Sequence, residues 1–248
     1  MSGRPAAWVF VGDLGDLRLD PGDAHHLSRV LRLRPGEQVG ASDGAGRWRP
    51  CAVAVAGGGE VRLEPTGPVV ADDPPRPPIT VGFSLVKGDR PELVVQKLTE
   101  LGVDRILPLA AARTVVRWDA ERAARGVARL RQVAREAAMQ ARRSRLPEVA
   151  PVTTLAAAAE ALGDGGALCE QGGSEALSLR RPALLVGPEG GWDEGEAACG
   201  LPAVGLGPTT LRAETAAIAA GVLLCGLRAM TVREASQADH PFEVGRAD

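Results

Sequence analysis

Two short apolar runs near the C-terminus, each ending in glycine, constrain the fold of this chain more than any other feature. They occupy residues 183–186 and 203–206 and open into GPEGG (residues 187–191) and GP (residues 207–208), after which a helical pattern begins near residue 214. Apolar runs that break into glycine before a helix are typical of buried parallel strands. Because the loops at the carboxyl ends of such strands form the ligand-binding crevice of open α/β sheets, we expect these two loops to enclose one pocket.

The chain from residue 79 onwards alternates between strand-like and helix-like segments. This alternation predicts an α/β domain with a mainly parallel sheet, which we place at residues 79–232. The predicted strands before the central loops are residues 79–86, 105–109, 113–116, 148–151 and 167–170, and the predicted helices are residues 90–101, 119–141, 154–162 and 214–230.

Residues 1–72 have a different pattern, which predicts a small β-barrel carrying one helix. The helix is expected at residues 23–33, and DGAG at residues 43–46 is a hairpin signal between two strands. The sequence ADDPPRPP at residues 71–78 contains four prolines and indicates a stiff linker between two domains. Residues 233–248 are expected to form a polar tail. The barrel strands are expected at residues 7–11, 38–41, 49–56 and 61–64.

Composition excludes several classes of protein. No apolar run is long enough to cross a bilayer, and the N-terminus lacks an apolar leader segment, so we expect a soluble cytoplasmic protein without a membrane partner. The cysteines are widely spaced, which predicts free thiols rather than disulfides and no metal site. They are Cys51, Cys169, Cys199 and Cys225.

Positive charge is concentrated locally although the net charge of the chain is only −2. Between residues 122 and 145 there are eight arginines and one acid, Glu136. This distribution favours a phosphate-binding surface over general attraction to polyanions. A second group, Arg29, Arg32 and Arg34, surrounds the end of the helix expected in the barrel. The latter group fits either RNA contact or an ordinary solvated face.

The two central loops carry polar residues that invite a chemical interpretation. GPEGG matches neither phosphate-loop pattern, but its glycines allow the backbone to approach a flat or extended ligand. Glu189 within it fits a helix cap, an acid or base, or a partner for a cationic ligand. At the start of the last helix, capping accounts for Glu214 and Thr215 but not for Arg212, which suits an anion or a polar ligand.

Five segments together resemble one known family. The chain is similar to the SPOUT methyltransferases, and specifically to the family of ribosomal RNA small-subunit uracil-N3 methyltransferases. The resemblance extends to about residue 230 and depends on the order and spacing of these segments. They are HHLSRVLRLRPGE (residues 25–37), KGDRPELVVQKLTELGV (residues 87–103), RSRLPEV (residues 143–149), LLVGPEGG (residues 184–191) and LGPTTLRAET (residues 206–215).

The resemblance implies a PUA-like, RNA-binding β-barrel followed by a SPOUT domain with a deep trefoil knot at its C-terminal end. It also implies a homodimer with each site at the subunit interface. The implied cofactor is S-adenosyl-L-methionine, held by the knot loops. The corresponding positions in this chain are Leu185, Gly187, Glu189, Gly190, Leu206, Gly207, Leu211 and Arg212.

The implied reaction is methylation of N3 of a uridine in 16S ribosomal RNA, within the small ribosomal subunit. Negative charge then develops on the uracil, and an arginine would stabilise it. Arg212 is the first candidate, followed by Arg143 or Arg145, which are also candidates for RNA binding. Either Glu214 or Glu189 could accept the proton of N3. We therefore expect Arg212 and Glu214 to be catalytic.

Two other functions remain open from the sequence. A related knotted enzyme could methylate a ribose 2′-hydroxyl of RNA with the same pocket. Alternatively, the chain could be a non-catalytic RNA-binding factor in ribosome assembly that keeps the fold.

Overall fold

The computed structural model describes residues 5, 7–25, 27–28, 31–57, 60–88, 90–114, 116 and 118–231. Arg29 and the tail at residues 233–248 lie outside the described residues. The strands among the described residues form two sheets, one in each half of the chain.

The N-terminal sheet contains five strands. Strand order is β1-β2-β3-β4, with β5 paired to β3. The pair β1–β2 is parallel, whereas β3 pairs antiparallel with β2, β4 and β5. The turn between β2 and β3 falls on the DGAG sequence, so the hairpin prediction is confirmed. The strands are β1 (Ala7–Phe10), β2 (Gln38–Ser42), β3 (Arg47–Gly57), β4 (Glu60–Pro65) and β5 (Val70–Ala71).

The helical region of this half differs from the prediction. Helix α1 spans Pro21–His25 and residues 27–28 are π-helical, whereas the pattern predicted one helix over residues 23–33. Arg32 has a φ of 52°, in the left-handed region, and the backbone N–H of Leu33 donates to the carbonyl of Leu27 at 3.0 Å. Both features are incompatible with a continuous α-helix to residue 33.

The C-terminal sheet has seven strands, and every pair in it is parallel. The order is β12-β10-β11-β6-β7-β8, with β9 also paired to β7. Residues 113–114 and 116 form no strand, so the strand predicted at residues 113–116 was wrong. The strands are β6 (Thr80–Ser84), β7 (Arg105–Ala110), β8 (Glu148–Val149), β9 (Thr153–Thr154), β10 (Gly166–Cys169), β11 (Ala183–Val186) and β12 (Ala203–Val204).

Helices cover both faces of this sheet. The side chains of β11 alternate between the two faces, because Leu184 and Val186 join one apolar cluster and Leu185 joins the other. Helices α2, α3 and α6 pack on the first face and α4 on the second. The helices are α2 (Arg90–Leu101), α3 (Ala120–Gln140), α4 (Leu155–Leu162), α5 (Glu194–Ala197) and α6 (Ala213–Arg228), with a 3-10 turn at Gly163–Gly165.

Helix α3 joins the two halves of the chain. Its Arg135 forms an ion pair with Asp23 and donates to the carbonyl of Phe10 at 3.0 Å. The segment after α3 continues the contact, since the Ser42 hydroxyl donates to the carbonyl of Ser144 at 2.8 Å. The arginine-rich helix therefore has a structural role as well as a surface charge.

No described helix is long and apolar enough to cross a membrane. Across the part of the chain that the structure covers, no group of three or more His, Cys, Asp or Glu could hold a metal ion.

Candidate active site

A cavity of about 420 Å³ lies at the carboxyl ends of β10, β11 and β12. This is the edge of the sheet at which the sequence predicted a pocket. Both central loops contribute to it, as do the residues after β10 and the start of α6. Its lining comprises residues 169–171, 186–189, 191–192, 206–207, 209–211, 213 and 216.

Trp192 fixes the shape of the loop at residues 187–191, which we call the glycine loop. A Cβ added at Gly187 would lie 3.0 Å from the indole ring of Trp192, so only glycine lets the ring pack this closely. Trp192 is 7% exposed, and its Nε1 has no hydrogen-bond partner among the described residues. This buried donor lies beside the backbone of Gly187 in the wall of the cavity.

Polar contacts anchor the glycine loop on its outer side. Nη1 of Arg113 donates to the carbonyl of Gly190 at 3.0 Å. The cap of the following helix is Asp193, whose carboxylate accepts from the backbone N–H of Gly195. The interpretation of Glu189 as a helix cap was therefore wrong, and its carboxylate is available for another role.

The loop at residues 206–212, which we call the arginine loop, forms the opposite wall. Gly207 has a φ of 145°, within the region that favours glycine. The Thr210 hydroxyl donates to Oε1 of Gln171 at 2.7 Å and so joins the arginine loop to the residues after β10. Arg212 occupies the N-cap position of α6 without a side-chain capping hydrogen bond to any described residue. Capping therefore does not explain Arg212.

Arg90, at the start of α2, links the two loops electrostatically. Its Nη1 lies 3.4 Å from Oε1 of Glu189 and 3.5 Å from Oε1 of Glu214. The side chain of Glu214 is only 12% exposed, and its Oε2 is buried without a hydrogen-bond partner in the described chain. One oxygen of Glu214 thus lies near a cation, and the other has no hydrogen-bond partner in the described chain.

A second cavity, of about 550 Å³, adjoins the first. The two share Pro188 and Glu189. Cationic side chains dominate the second cavity, which suits the polar and developing negative groups of a substrate. Its cationic lining residues are Lys87, Arg90, Arg113 and Arg212.

The structure places the expected cofactor residues in three locations. Gly190 and Arg212 line the second cavity. Leu185 is fully buried in the apolar cluster behind the pocket, where its side chain supports β11. The other five line the first cavity, and they are Gly187, Glu189, Leu206, Gly207 and Leu211.

Several lining residues are not among those expected from the sequence. Trp192 directly follows the glycine loop, and this position in the sequence could have identified it as a lining residue. Cys169, Glu170 and Gln171 come from the end of β10, which is the parallel neighbour of β11. Because a strand is predicted there, its carboxyl end could have been assigned to the same edge of the sheet. Burial raises the pKa of the Cys169 thiol to about 12, so this thiol is neutral at physiological pH.

The expected RNA-binding arginines separate into two groups. Arg32 and Arg34 are placed on the N-terminal half, and the backbone N–H of Arg34 donates to the carboxylate of Glu37 at 2.7 Å. Arg143, by contrast, is 14% exposed, and its Nη1 donates to the carbonyls of Thr99 and Val103, each at 2.9 Å. Burial is the main cause of its lowered pKa, and the neighbouring Asp104 partly opposes this shift. These contacts favour a structural role for Arg143, and its predicted RNA contact stays a prediction.

Arg145 is also engaged within the chain. Its guanidinium donates to the carbonyls of Ala45 and Asp72, and it packs against Gly46 in the β2–β3 turn. The side chain therefore fastens this turn and the start of the linker to the end of α3. The contacts of Arg145, like those of Arg143, favour a structural role, and the predicted roles of both in RNA binding and catalysis stay predictions.

Two family models match the chain. One, described as an RNA methyltransferase domain, matches residues 73–224. The other, described as an RNA methyltransferase PUA domain, matches residues 19–66.

Similar proteins carry one recurring name. Ribosomal RNA small subunit methyltransferase E of Mycobacterium tuberculosis (strain CDC 1551 / Oshkosh) is 38% identical over 228 residues, covering 84% of this chain and 86% of that protein. The protein of the same name from Bacillus subtilis (strain 168) is 30% identical over 223 residues, covering 78% and 83%. Both matches span most of each protein.

Solved structures show the same similarity. A ribosomal RNA small subunit methyltransferase E from Neisseria gonorrhoeae, bound to S-adenosyl methionine, is similar with a TM-score of 0.76 and 31% identity, covering 89% of this chain and 97% of that chain. A putative methyltransferase from Legionella pneumophila, in complex with the cofactor SAM, has a TM-score of 0.73 and 26% identity, covering 90% and 97%.

Proposed function

The chain belongs to the RNA methyltransferase family whose model spans its residues 73–224, and we propose that it methylates N3 of a specific uridine in 16S ribosomal RNA. The methyl donor is S-adenosyl-L-methionine. One observation supports this most strongly. The first cavity, at the loops predicted for the cofactor, adjoins a second cavity that is rich in cations.

The residues of the first cavity fit this cofactor. Trp192 and Leu211 offer apolar surface for a planar base, and the unpartnered Nε1 of Trp192 offers a donor. Glu189 can face the positive charge of the sulfonium and amine groups. A volume of about 420 Å³ is within the usual range for pockets that hold cofactor-sized ligands. The cofactor would supply an electrophilic methyl group. The residues of the chain would bind and orient it and would provide the charges around the reacting groups.

The second cavity would receive the uracil. N3 of uracil is protonated at neutral pH, so its proton must leave as negative charge spreads over the ring oxygens. Arg212 lines this cavity and would stabilise that charge. We propose Glu214, at the adjacent start of α6, as the proton acceptor; its Oε2 is buried and has no partner in the described chain, and neither cavity is lined by Glu214 as described.

Arg90 would prepare Glu214 for this role. Its guanidinium lies 3.5 Å from Oε1 of Glu214 and so fixes where that carboxylate points. Arg90 also contacts Glu189, so one guanidinium lies between the glycine loop and the start of α6. We therefore assign Arg90 as a positioning residue.

The wider setting follows from the same proposal. We propose residues 1–72 as an RNA-binding domain in which Arg32 and Arg34 contribute positive charge, and residues 79–232 as the methyltransferase domain. The protein would act as a homodimer on small ribosomal subunits in the cytoplasm.

Deleting the gene and analysing the ribosomal RNA tests the proposal. Small-subunit RNA from the deletion strain is digested to nucleosides and compared with wild-type RNA by mass spectrometry. We expect one N3-methyluridine to disappear and to return when the gene is restored. Loss of a 2′-O-methylated nucleotide instead would identify a ribose methyltransferase, and an unchanged nucleoside profile would favour an assembly factor.

A further inference from the structure

The cationic second cavity continues away from the active site. It shares Val86, Lys87 and Val116 with a third cavity of about 340 Å³, which lies along the first half of α3. Because the second cavity also shares two residues with the first, the three cavities are neighbours. We call the second and third cavities together the basic groove.

The basic groove carries far more positive than negative charge. Glu189 is the one carboxylate among the described lining residues of the second cavity, and the described lining of the third contains none. In a chain with a net charge of −2, this is a local concentration that favours a polyanion. The cations of the third cavity are Lys87, Arg122, Arg125 and Arg129.

Ion pairs within the chain do not neutralise this charge firmly. Arg125 contacts Glu121, and Nε of Arg129 lies 2.9 Å from Oε1 of Glu92. The side chains of Arg125 and Arg129 are 68% and 72% exposed, respectively, and exposed pairs contribute little to stability. Phosphate groups can therefore replace these carboxylates at little cost.

An aromatic ring lies among these cations. Trp118 lines the third cavity together with Val86 and Val116. A Cβ added at Gly126 would lie 2.3 Å from the Trp118 ring, so the glycine in α3 is what lets the ring pack against the helix. A ring held in this way, beside several arginines, is suited to stacking with a nucleobase.

From this arrangement we propose that the basic groove binds single-stranded RNA next to the target uridine, with a base stacked on Trp118 and phosphates on Arg122 and Arg125. The inference rests on the proposed function, because the groove begins where the uracil would lie. An acidic protein segment would match the charge but would have no specific use for the aromatic ring. The groove differs from the RNA surface expected from the sequence, since neither Arg143 nor Arg145 lines it.

Binding of a labelled RNA oligonucleotide tests this proposal. The probe is a fluorescein-labelled oligouridylate of about 12 nucleotides, titrated by anisotropy at several salt concentrations. The variants are Arg122→Ala combined with Arg125→Ala, Trp118→Ala, and Trp118→Phe. The matched control is Arg180→Ala, an arginine of the same half of the chain that lines none of these three cavities.

We expect the double arginine variant to reduce the slope of log K against log salt by about 0.7 for each phosphate that the protein no longer neutralises. Trp118→Ala should weaken binding roughly 5- to 150-fold, while Trp118→Phe retains most of the affinity. Arg180→Ala should behave as wild type.

Wild-type affinity and slope in both the arginine variant and Trp118→Ala would overturn the proposal. The proposal would also be overturned if a variant changed its oligomeric state in analytical ultracentrifugation and its RNA affinity changed only together with that state. A second copy of the chain would then cover the groove. With the same protein preparations we measure the affinity of the wild-type protein for S-adenosyl-L-methionine and its methylation of isolated small ribosomal subunits. Absence of N3-methyluridine there would contradict the proposed function, whereas unaffected variants of an active enzyme would contradict only the groove.

Discussion

Nη1 of Arg90 lies 3.5 Å from Oε1 of Glu214, although the two residues are far apart in sequence. The contact joins the start of α2 to the start of α6 across the edge of the sheet. It gives one oxygen of Glu214 a cationic partner. The other oxygen, Oε2, is buried and has no hydrogen-bond partner within the described part of the chain. The proposed proton acceptor therefore depends on a residue outside both central loops.

Arg90→Gln should lower turnover by at least about 10-fold, because Glu214 then loses the guanidinium that lies against its Oε1 and positions the carboxylate. Affinity for S-adenosyl-L-methionine, measured by calorimetry, should change much less, since Arg90 does not line the first cavity as described. The matched control is Arg105→Gln. Arg105 is equally exposed, at 39%, and pairs with Glu148 elsewhere on the same sheet. Equal reductions of turnover in both variants would contradict the role of Arg90.

Substituting the two carboxylates separately identifies the proton acceptor. Glu214→Gln should reduce turnover about 10²- to 10⁴-fold while RNA and cofactor still bind, because a general base contributes that much. Glu189→Gln should instead weaken cofactor binding and reduce turnover less. Single-turnover methylation with saturating cofactor separates the two effects. A larger reduction of the single-turnover rate in Glu189→Gln would transfer the role to Glu189.

Gly187→Ala should weaken cofactor binding. The added Cβ would lie 3.0 Å from Trp192 and would displace the indole into the cavity, at a cost of about 1–3 kcal/mol. Calorimetric titration with the cofactor measures the change. Gly165→Ala is the control, because its nearest neighbour would be 4.0 Å away. Unchanged affinity in Gly187→Ala would show that the indole does not shape the cofactor site.

Arg143→Ala should destabilise the fold by about 2–4 kcal/mol, because the carbonyls of Thr99 and Val103 would lose their buried donor, although Asp104 keeps Arg228 as its partner. Urea unfolding followed by circular dichroism measures the change. At temperatures where the variant stays folded, the salt dependence of its RNA binding should equal that of wild type. A stable variant with a flattened salt dependence would restore Arg143 to the RNA surface.

Stability should fall at alkaline pH in a way that depends partly on Cys169. Burial raises the pKa of its thiol from 9.0 to about 12, so the folded state holds the proton more tightly than the unfolded state. The free energy of unfolding should therefore be constant with respect to this group below about pH 9 and decrease as pH rises from there towards 12. Cys169→Ala should show a shallower decrease in urea titrations across this range. Parallel pH profiles for the variant and wild type would contradict this assignment.

The fold class and the family could both be predicted correctly, because both depend on local pattern. The strand ends at β11 and β12 and the start of α6 carry their signals within a few residues. The family models and the similar structures confirm the α/β fold with a mainly parallel sheet and a preceding PUA domain. The trefoil knot stays a prediction.

Other features depend on contacts between distant residues and could not be predicted. Arg90 and Glu189 are 99 positions apart, and no local pattern pairs them. The sequence shows that Arg143 is charged but not that Thr99 and Val103 enclose it. The apolar spacing predicted one helix over residues 23–33, whereas the left-handed backbone at Arg32 is incompatible with a continuous α-helix over that range.

Methylation of isolated small ribosomal subunits tests the central claim most directly. Subunits from a strain lacking the gene are incubated with the purified protein and S-adenosyl-L-methionine carrying an isotopically labelled methyl group, and the digested RNA is analysed by mass spectrometry. We predict one labelled N3-methyluridine per subunit with the wild-type protein and almost none with Glu214→Gln. Label on a ribose 2′-oxygen, or no label despite measurable cofactor binding, would contradict the account.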